Sequence, residues 1–306
     1  MTLDDSSLRP SPANGDSAPQ VPGVPEPPTA ARGAAAGRLE RRDWAVLLAL
    51  TVLITAELWP ILTAGPDMAP GLPAEDGRTQ WLPWRVHGFG WMKRGVLPLW
   101  NHHVLCGVPF VGGWQSALFY PPNLLFIGLP APVAARWSVW FHWQLAAAAA
   151  FILARTLGAG HAGSAVAALG FTLGAPNVLR VYAGHWGAVC ALPWLPVILL
   201  SVEKLLAAPR SAWFILGALS VALQLLAGAP QVVAFCALAA GLYALARLAF
   251  GDRAAPQPAA RRTRLLWLAA LPGIYLAGAL LAAVQVFPGI EASSYGARTV
   301  GMRPEW

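Results

Sequence analysis

The chain is 306 residues long, with 57% apolar and 11% charged residues, against roughly 25% charged in an average soluble domain. That balance excludes an ordinary water-soluble domain and points to a protein that crosses a membrane several times. The net charge of +7 could serve nucleic acid. Here, however, the arginines sit at the ends of apolar runs, as topology signals do, rather than on one polar face.

Residues 1–42 are rich in Pro, Ala, Gly and Ser. They contain no apolar run able to offset the entropy of ordering, so they read as a disordered cytoplasmic tail. The tail lacks the short apolar core and small-residue cleavage site of a secretory signal, so the first membrane helix is expected to stay attached. That helix is predicted over 44–63, interrupted only by Glu57 and Pro60. At about 1.5 Å per residue it matches the ~30 Å of bilayer hydrocarbon. The basic cluster "RLERRDW" before it places the N-terminus in the cytoplasm.

From residue 65 to 133 the apolar runs are broken by Pro, Gly and charge every few residues, so this stretch reads as one large extracytoplasmic loop. Within it, "ALFYPPNLLFIGLP" is too short to span and reads as interfacial or re-entrant. Six further spans are predicted over 134–155, 162–181, 187–206, 212–229, 231–250 and 265–287, the fifth of these having almost no loop before it at "GAPQ". Alternation places Arg155, Lys204, Arg210, Arg247, Arg253, Arg261, Arg262 and Arg264 on the cytoplasmic side, and only Arg180, Arg298 and Arg303 on the outer side of the later spans. The expected fold is therefore all-α: a polytopic membrane domain over 43–306 with about seven transmembrane helices and a large first extracytoplasmic loop. Cys106, Cys190 and Cys236 have no CxxC spacing, which argues against a disulfide framework or zinc site.

This topology gathers the unusual polar residues at one side. The first loop supplies Asp67, Glu75, Asp76, Arg78, Gln80, Arg85, Lys93, Arg94, Asn101, His102 and His103; "AGHW" supplies His185, "GAPQ" supplies Gln231, and "VQVFPGIEASSYGAR" supplies Gln285, Glu291 and Arg298. Loops are polar in any protein, but the cytoplasmic ones here carry mainly basic residues, while the outer ones carry acids, amides and histidines. Function-bearing loops on a rigid scaffold have this character. Pro98, Asn101, Gly107 and Pro109 read as rigid turns that fold the loop back against the membrane.

The run "DGRTQWLPWR" (76–85) with "GVLPLWNHHVLCGVPFVGGWQSALFYPPNLLF" is similar to the first external loop of YfhO-type bacterial membrane proteins, members of the GT-C glycosyltransferase superfamily. "GHW" at 184–186, "GAPQ" at 228–231 and "QVFPGIEASSYGAR" at 285–298 follow in that family's order, so the resemblance spans about residues 44–300. His102 and His103 replace the aromatic or proline often found after "WN". Family members also run longer, so the chain is expected to be a shortened or C-terminally truncated member.

The resemblance implies an inverting transferase of the bacterial cytoplasmic (inner) membrane. It would move a sugar from a polyprenyl-phosphate donor to an acceptor hydroxyl on an envelope glycan, lipid or polymer outside the cytoplasm. A hydroxyl is a poor nucleophile at neutral pH and needs a general base. Asp76 fits the Asp that such enzymes carry in the first loop, and Asp67, nearer the first span, is its rival. A lipid-phosphate leaving group needs donors and positive charge, for which Arg78, Arg85, Arg298 and His185 are candidates. Gln80, Asn101, His102, Gln231 and Glu291 complete the predicted substrate-binding set.

No cofactor is specified. A divalent metal on His102, His103 and Asp76 would need a third ligand geometry that spacing does not provide. Lys93, Arg94, Trp81, Trp84, Trp100, Trp114 and Tyr120 read mainly as interfacial anchors. Two other functions share this topology: a lipid or polysaccharide transporter or flippase, which would place ionisable groups at the midplane, and a non-catalytic envelope assembly subunit. Membrane lipids are expected partners and nucleic acid is not.

Overall fold

The computed structural model describes residues 39–71, 76–250 and 257–295. The expectations for the tail up to residue 38, Glu75, Arg253, Arg298 and Arg303 lie outside these residues. Among the described residues the chain is mostly helical, with one two-stranded β-hairpin.

Helix α1, Arg41–Leu62, starts three residues earlier than composition suggests, because the Asp43 carboxylate accepts the Glu40 N–H at 2.8 Å and caps its first turn. Trp44, Leu48, Val52 and Trp59 are exposed along its length, whereas Leu50, Ile54 and Leu58 are buried. Its far end leaves carbonyls unsatisfied. Arg136 supplies the missing donor through Nη1, to Ile61 O at 3.3 Å and to Ala64 O.

The long segment that follows is not an irregular loop. It holds a π-helical turn Gly77–Trp81, helix α2 (Leu82–Met92), a hairpin of β1 (Trp100–Asn101) and β2 (Val108–Pro109), a 3₁₀ turn Pro121–Leu124 and a short helix α3, Leu125–Gly128. It carries its own apolar core: Trp81, Phe89, Phe110, Val111, Leu118 and Phe126 pack against Ala134, Ala135 and Trp186. Trp81 and Tyr120, expected as membrane-surface anchors, are buried instead.

Helix α4, Ala131–Thr156, is the hub, packing on α1, on α5 (His161–Leu173) and on α8 (Trp194–Ala207). Buried Ala146, Ala147, Ala149 and Ala150 let the neighbouring backbones approach it closely. α5 leads into α6, Ala175–Tyr182, across a break at Gly174, where Pro176 has no N–H to continue the α5 ladder and suits the first turn of a new helix. A similar break at Leu192–Pro193 separates α7, Trp186–Ala191, from α8. Next come α9 (Ser211–Leu226), α10 (Pro230–Phe250), α11 (Gln257–Leu281) and α12 (Ala283–Ser294). α9 meets α8 and α11 through small residues: a Cβ on Gly217 would lie 2.5 Å from Ser201 Oγ, and one on Gly278 would lie 2.5 Å from Val221.

This is a multi-pass helical membrane architecture. Arg41–Leu62, Ala131–Thr156, His161–Tyr182, Trp186–Ala207 and Pro230–Arg247 are each long and apolar enough to cross a bilayer. The expected span over 265–287 is instead a bent pair, Ala269–Leu281 and Ala283–Ser294, inclined at 84°. The expected span over 212–229 shortens to the 16 residues of α9, about 24 Å of helix. Length and composition therefore give five spans, or six if the bent pair counts as one, where sequence alternation predicts about seven.

Candidate functional site

Asp76 stands at the head of the π-helical turn, where its Oδ2 lies 3.1 Å from Nε2 of His185. Both side chains are about half exposed, at 55% and 51%. The contact joins "DG" to "GHW", two motifs far apart in the chain, and glycines make it sterically feasible. A Cβ on Gly77 would lie 3.0 Å from Gly184 Cα and 3.2 Å from the Trp186 ring. Gly184 itself has φ +69, a left-handed conformation that costs glycine little. Reciprocally, a Cβ on Gly187 would lie 2.3 Å from Cη2 of Trp81. Each strand of the contact thus presents a glycine to the other's tryptophan.

The motifs "GAPQ" and "QVFPGIEASSYGAR" reach the same segment. Gly228, φ +87, lies against Trp114 O and the Gln115 backbone. Gly289 lies under the Trp114 ring, Gly112 lies against Pro288 O, and Gln285 donates from Nε2 to Val111 O at 2.6 Å. Four separate stretches thus converge on one end of the helix bundle.

The remaining candidates divide by position. Arg78, two residues from Asp76 in sequence, is half-buried and has no hydrogen bond or ion pair with any described residue. Gln80 hydrogen-bonds to the Gln115 side chain. Arg85, a predicted phosphate ligand, is only 3% exposed; Nη1 donates to Gln115 O at 2.8 Å and to Ser116 O, and the ring of Trp81 lies 5.5 Å from its guanidinium carbon. Burial lowers its pKa to about 10, still cationic at neutral pH. Arg85 therefore clamps the loop, and what it lines is a cavity of about 10 Å³ beside Asn123, Ser138 and Cys190, room for about one water. Asn101 is also buried, and its Oδ1 accepts the His103 N–H at 3.0 Å inside the hairpin. Asp67, His102, Gln231 and Glu291 are exposed, and none of them forms an ion pair with a described residue.

The His102–His103–Asp76 metal reading is not met. Among the described residues no group of three or more His, Cys, Asp or Glu comes together. Asp76 takes His185 as its partner, while His103 packs edge-on against His87 at 5.6 Å. His87 is a residue that sequence reasoning passed over. Its Nε2 is enclosed without a partner, and burial, then the neighbouring His103, hold its pKa below the usual value.

Behind the site lies a closed polar chain. His142 Nδ1 is 2.6 Å from the Ser138 carbonyl, which can only accept, so Nδ1 carries the proton. Nε2 therefore accepts from Tyr120 Oη at 2.6 Å, and Tyr120 in turn accepts from Trp194 Nε1 at 2.9 Å. At the opposite end of the bundle the charged groups pair internally: Arg155 and His161 with Asp43, and Arg247 with Glu203. Comparison with protein-family models, curated proteins and solved structures finds no match to this chain.

Proposed function

We propose that the chain is a glycosyltransferase of the bacterial cytoplasmic membrane, moving a sugar from a polyprenyl-phosphate donor to an extracytoplasmic hydroxyl of an envelope glycan, lipid or polymer. In this reading the chain crosses seven times. α9 is a short span, the bent pair α11–α12 is the last, the N-terminus is cytoplasmic, and the Asp76 end faces outward.

The observation that carries the proposal is the Asp76–His185 contact, half exposed where four stretches of chain meet at one end of an apolar bundle. The His185 ring holds one carboxylate oxygen and leaves Oδ1 free to take the acceptor's proton. The acceptor oxygen attacks the anomeric carbon, whose bond to the phosphate oxygen breaks, and the lipid phosphate departs with the electron pair. Arg78, two residues from Asp76 and without an ion pair among the described residues, is the cation proposed to meet that developing charge. The donor class comes from the likeness of the loop motifs to YfhO-type proteins.

The internal pairing elsewhere favours this reading over transport. A transporter keeps ionisable groups free to engage cargo within the membrane, whereas both ring nitrogens of His142 are engaged by protein. The test is Asp76→Asn in the native host, with envelope glycans and polyprenyl-linked sugars profiled by mass spectrometry beside wild type and a deletion strain. The expected result is a mutant that matches the deletion and accumulates the lipid-linked donor. A mutant that matches wild type while the deletion differs removes Asp76 as the base and moves Asp67 or a non-catalytic assembly role ahead.

A further inference from the structure

The segment from Trp91 to Cys106 displays apolar side chains to an unusual degree for a stretch outside the spanning helices. Trp91, Val96, Leu97, Leu99, Trp100 and Leu105 are all exposed, Leu99 at 65% and Leu105 at 86%. They belong to one folded unit. The end of α2 turns back through Val96 N–H to Trp91 O at 3.1 Å, and Phe110 N–H to Leu99 O at 2.8 Å extends the β1–β2 pairing. Trp100 lies across the hairpin tip, where a Cβ on Gly107 would fall 2.4 Å from its Nε1.

The tip is built at conformational cost. Leu105, Cys106 and Gly107 have φ of +48, +62 and +116, and the first two are side-chain-bearing residues in a left-handed region that L-residues avoid. That backbone turns Leu105 outward, away from the loop's own core. Apolar display of this extent on a soluble loop marks a contact surface.

Charge indicates what it contacts. Lys93 and Arg94 are exposed in the same stretch, and Arg94 stacks over Trp91 at 5.4 Å from the ring centroid. Tryptophan bodies, aliphatic side chains and flanking basic residues together match the headgroup region of a bilayer, with the rings at the interface and the cations on lipid phosphates. We infer that the α2 end and the β1–β2 hairpin dip into the headgroup layer of an anionic bilayer, with Leu105 at the tip and Lys93 and Arg94 on the lipid phosphates. The loop would lie there whatever reaction takes place at Asp76.

Cys106 provides the probe site, since it is exposed while Cys190 and Cys236 are buried. The full chain, labelled at Cys106 with a polarity-sensitive thiol fluorophore, is reconstituted into phosphatidylcholine vesicles with and without phosphatidylglycerol. Expected in the anionic vesicles is blue-shifted emission, quenched by nitroxide-bearing lipids and shielded from aqueous iodide. The variant K93E/R94E should lower the inserted-to-free ratio of the loop there by roughly thirtyfold or more and change little in neutral vesicles. L105D, at a surface position, should shift the probe toward iodide. Iodide quenching without lipid quenching in wild type would place the hairpin in water and overturn the inference. Shielding from both quenchers would mean that a protein surface covers it, and would also overturn it. Lipid quenching indifferent to K93E/R94E in anionic vesicles would overturn the role of the two cations.

Discussion

Gly187→Ala tests whether glycine–tryptophan packing sets the position of Asp76. The added Cβ would sit 2.3 Å from Cη2, 2.8 Å from Cζ3 and 3.2 Å from Cζ2 of Trp81, so a rigid ring must move by about 1 Å to reach ordinary contact. Trp81 ends the π-helical turn that Asp76 begins, and its ring is buried in the loop core, so displacement carries into the backbone beside the carboxylate. Overpacking of this kind costs about 1–3 kcal/mol, and a 1 Å misplacement of a reacting group costs on the order of a hundredfold in rate. The expected outcome is a folded protein with a modestly lowered Tm in detergent and, on the proposed transferase reading, loss of most of the sugar product in the host. Gly90→Ala is the control: it lies in α2, a Cβ there meets nothing within 4 Å, and helix propensity favours Ala by about 0.5–1 kcal/mol. If Gly187→Ala matches Gly90→Ala in both stability and product, the packing does not position Asp76 and the reasoning fails.

Two further outcomes follow from the loop and from the polar chain behind it. The His87 pKa is held below its usual value, so the neutral ring's contribution to loop stability is fully present above about pH 6.5 and is lost as pH falls through the folded value. Proteolytic cleavage of the 93–107 region should therefore rise below that pH, and His87→Phe, which keeps a ring against Phe110, should flatten the dependence. Tyr120→Phe removes the partner of the part-buried Trp194 Nε1 and strands the buried His142 Nε2, at about 1–3 kcal/mol for the buried orphan. Thermal unfolding in detergent should show a loss of that size, and an unchanged Tm would mean that the chain of bonds is not formed.

Helix positions were largely legible in the sequence because hydrocarbon imposes one simple pattern, and the breaks lie where Gly174 with Pro176, and Pro193, make continued helix costly. Helix α2 was not legible. Pro83, Gly88 and Gly90 read locally as turn residues, yet Gly88 is there because Leu118 and Phe110 fill the space a Cβ would take, at 2.5 and 3.0 Å. Tertiary packing thus overrides local preference. Arg85 was misread for a related reason: an arginine in a loop looks like a ligand until the carbonyls of Gln115 and Ser116 are seen to fold over it. Gln115, which bonds Gln80 and accepts from Arg85, carries no local signal. The nearest clue was the spacing of Gly and Trp in "DGRTQW" and "GHWG", which pack as mirror images of each other.

That reciprocity bears on whether the Asp76 end is functional at all. A water-facing loop needs only to connect α1 to α4, and glycine at closely packed positions weakens it, because glycine loses more backbone entropy on ordering than any other residue. Here Gly77 sits where a Cβ would press on Gly184 and Trp186, and Gly187, Gly228 and Gly289 sit where one would collide with the loop itself. The buried Arg85 guanidinium, expensive to remove from water, adds a further clamp. Such costs bring a return only if the loop's position matters to something beyond the connection. The half-exposed Asp76–His185 pair is what the docked loop holds in place. The proposed transfer needs such a carboxylate, open to solvent on a tightly packed frame and met by an acceptor that arrives from outside the protein.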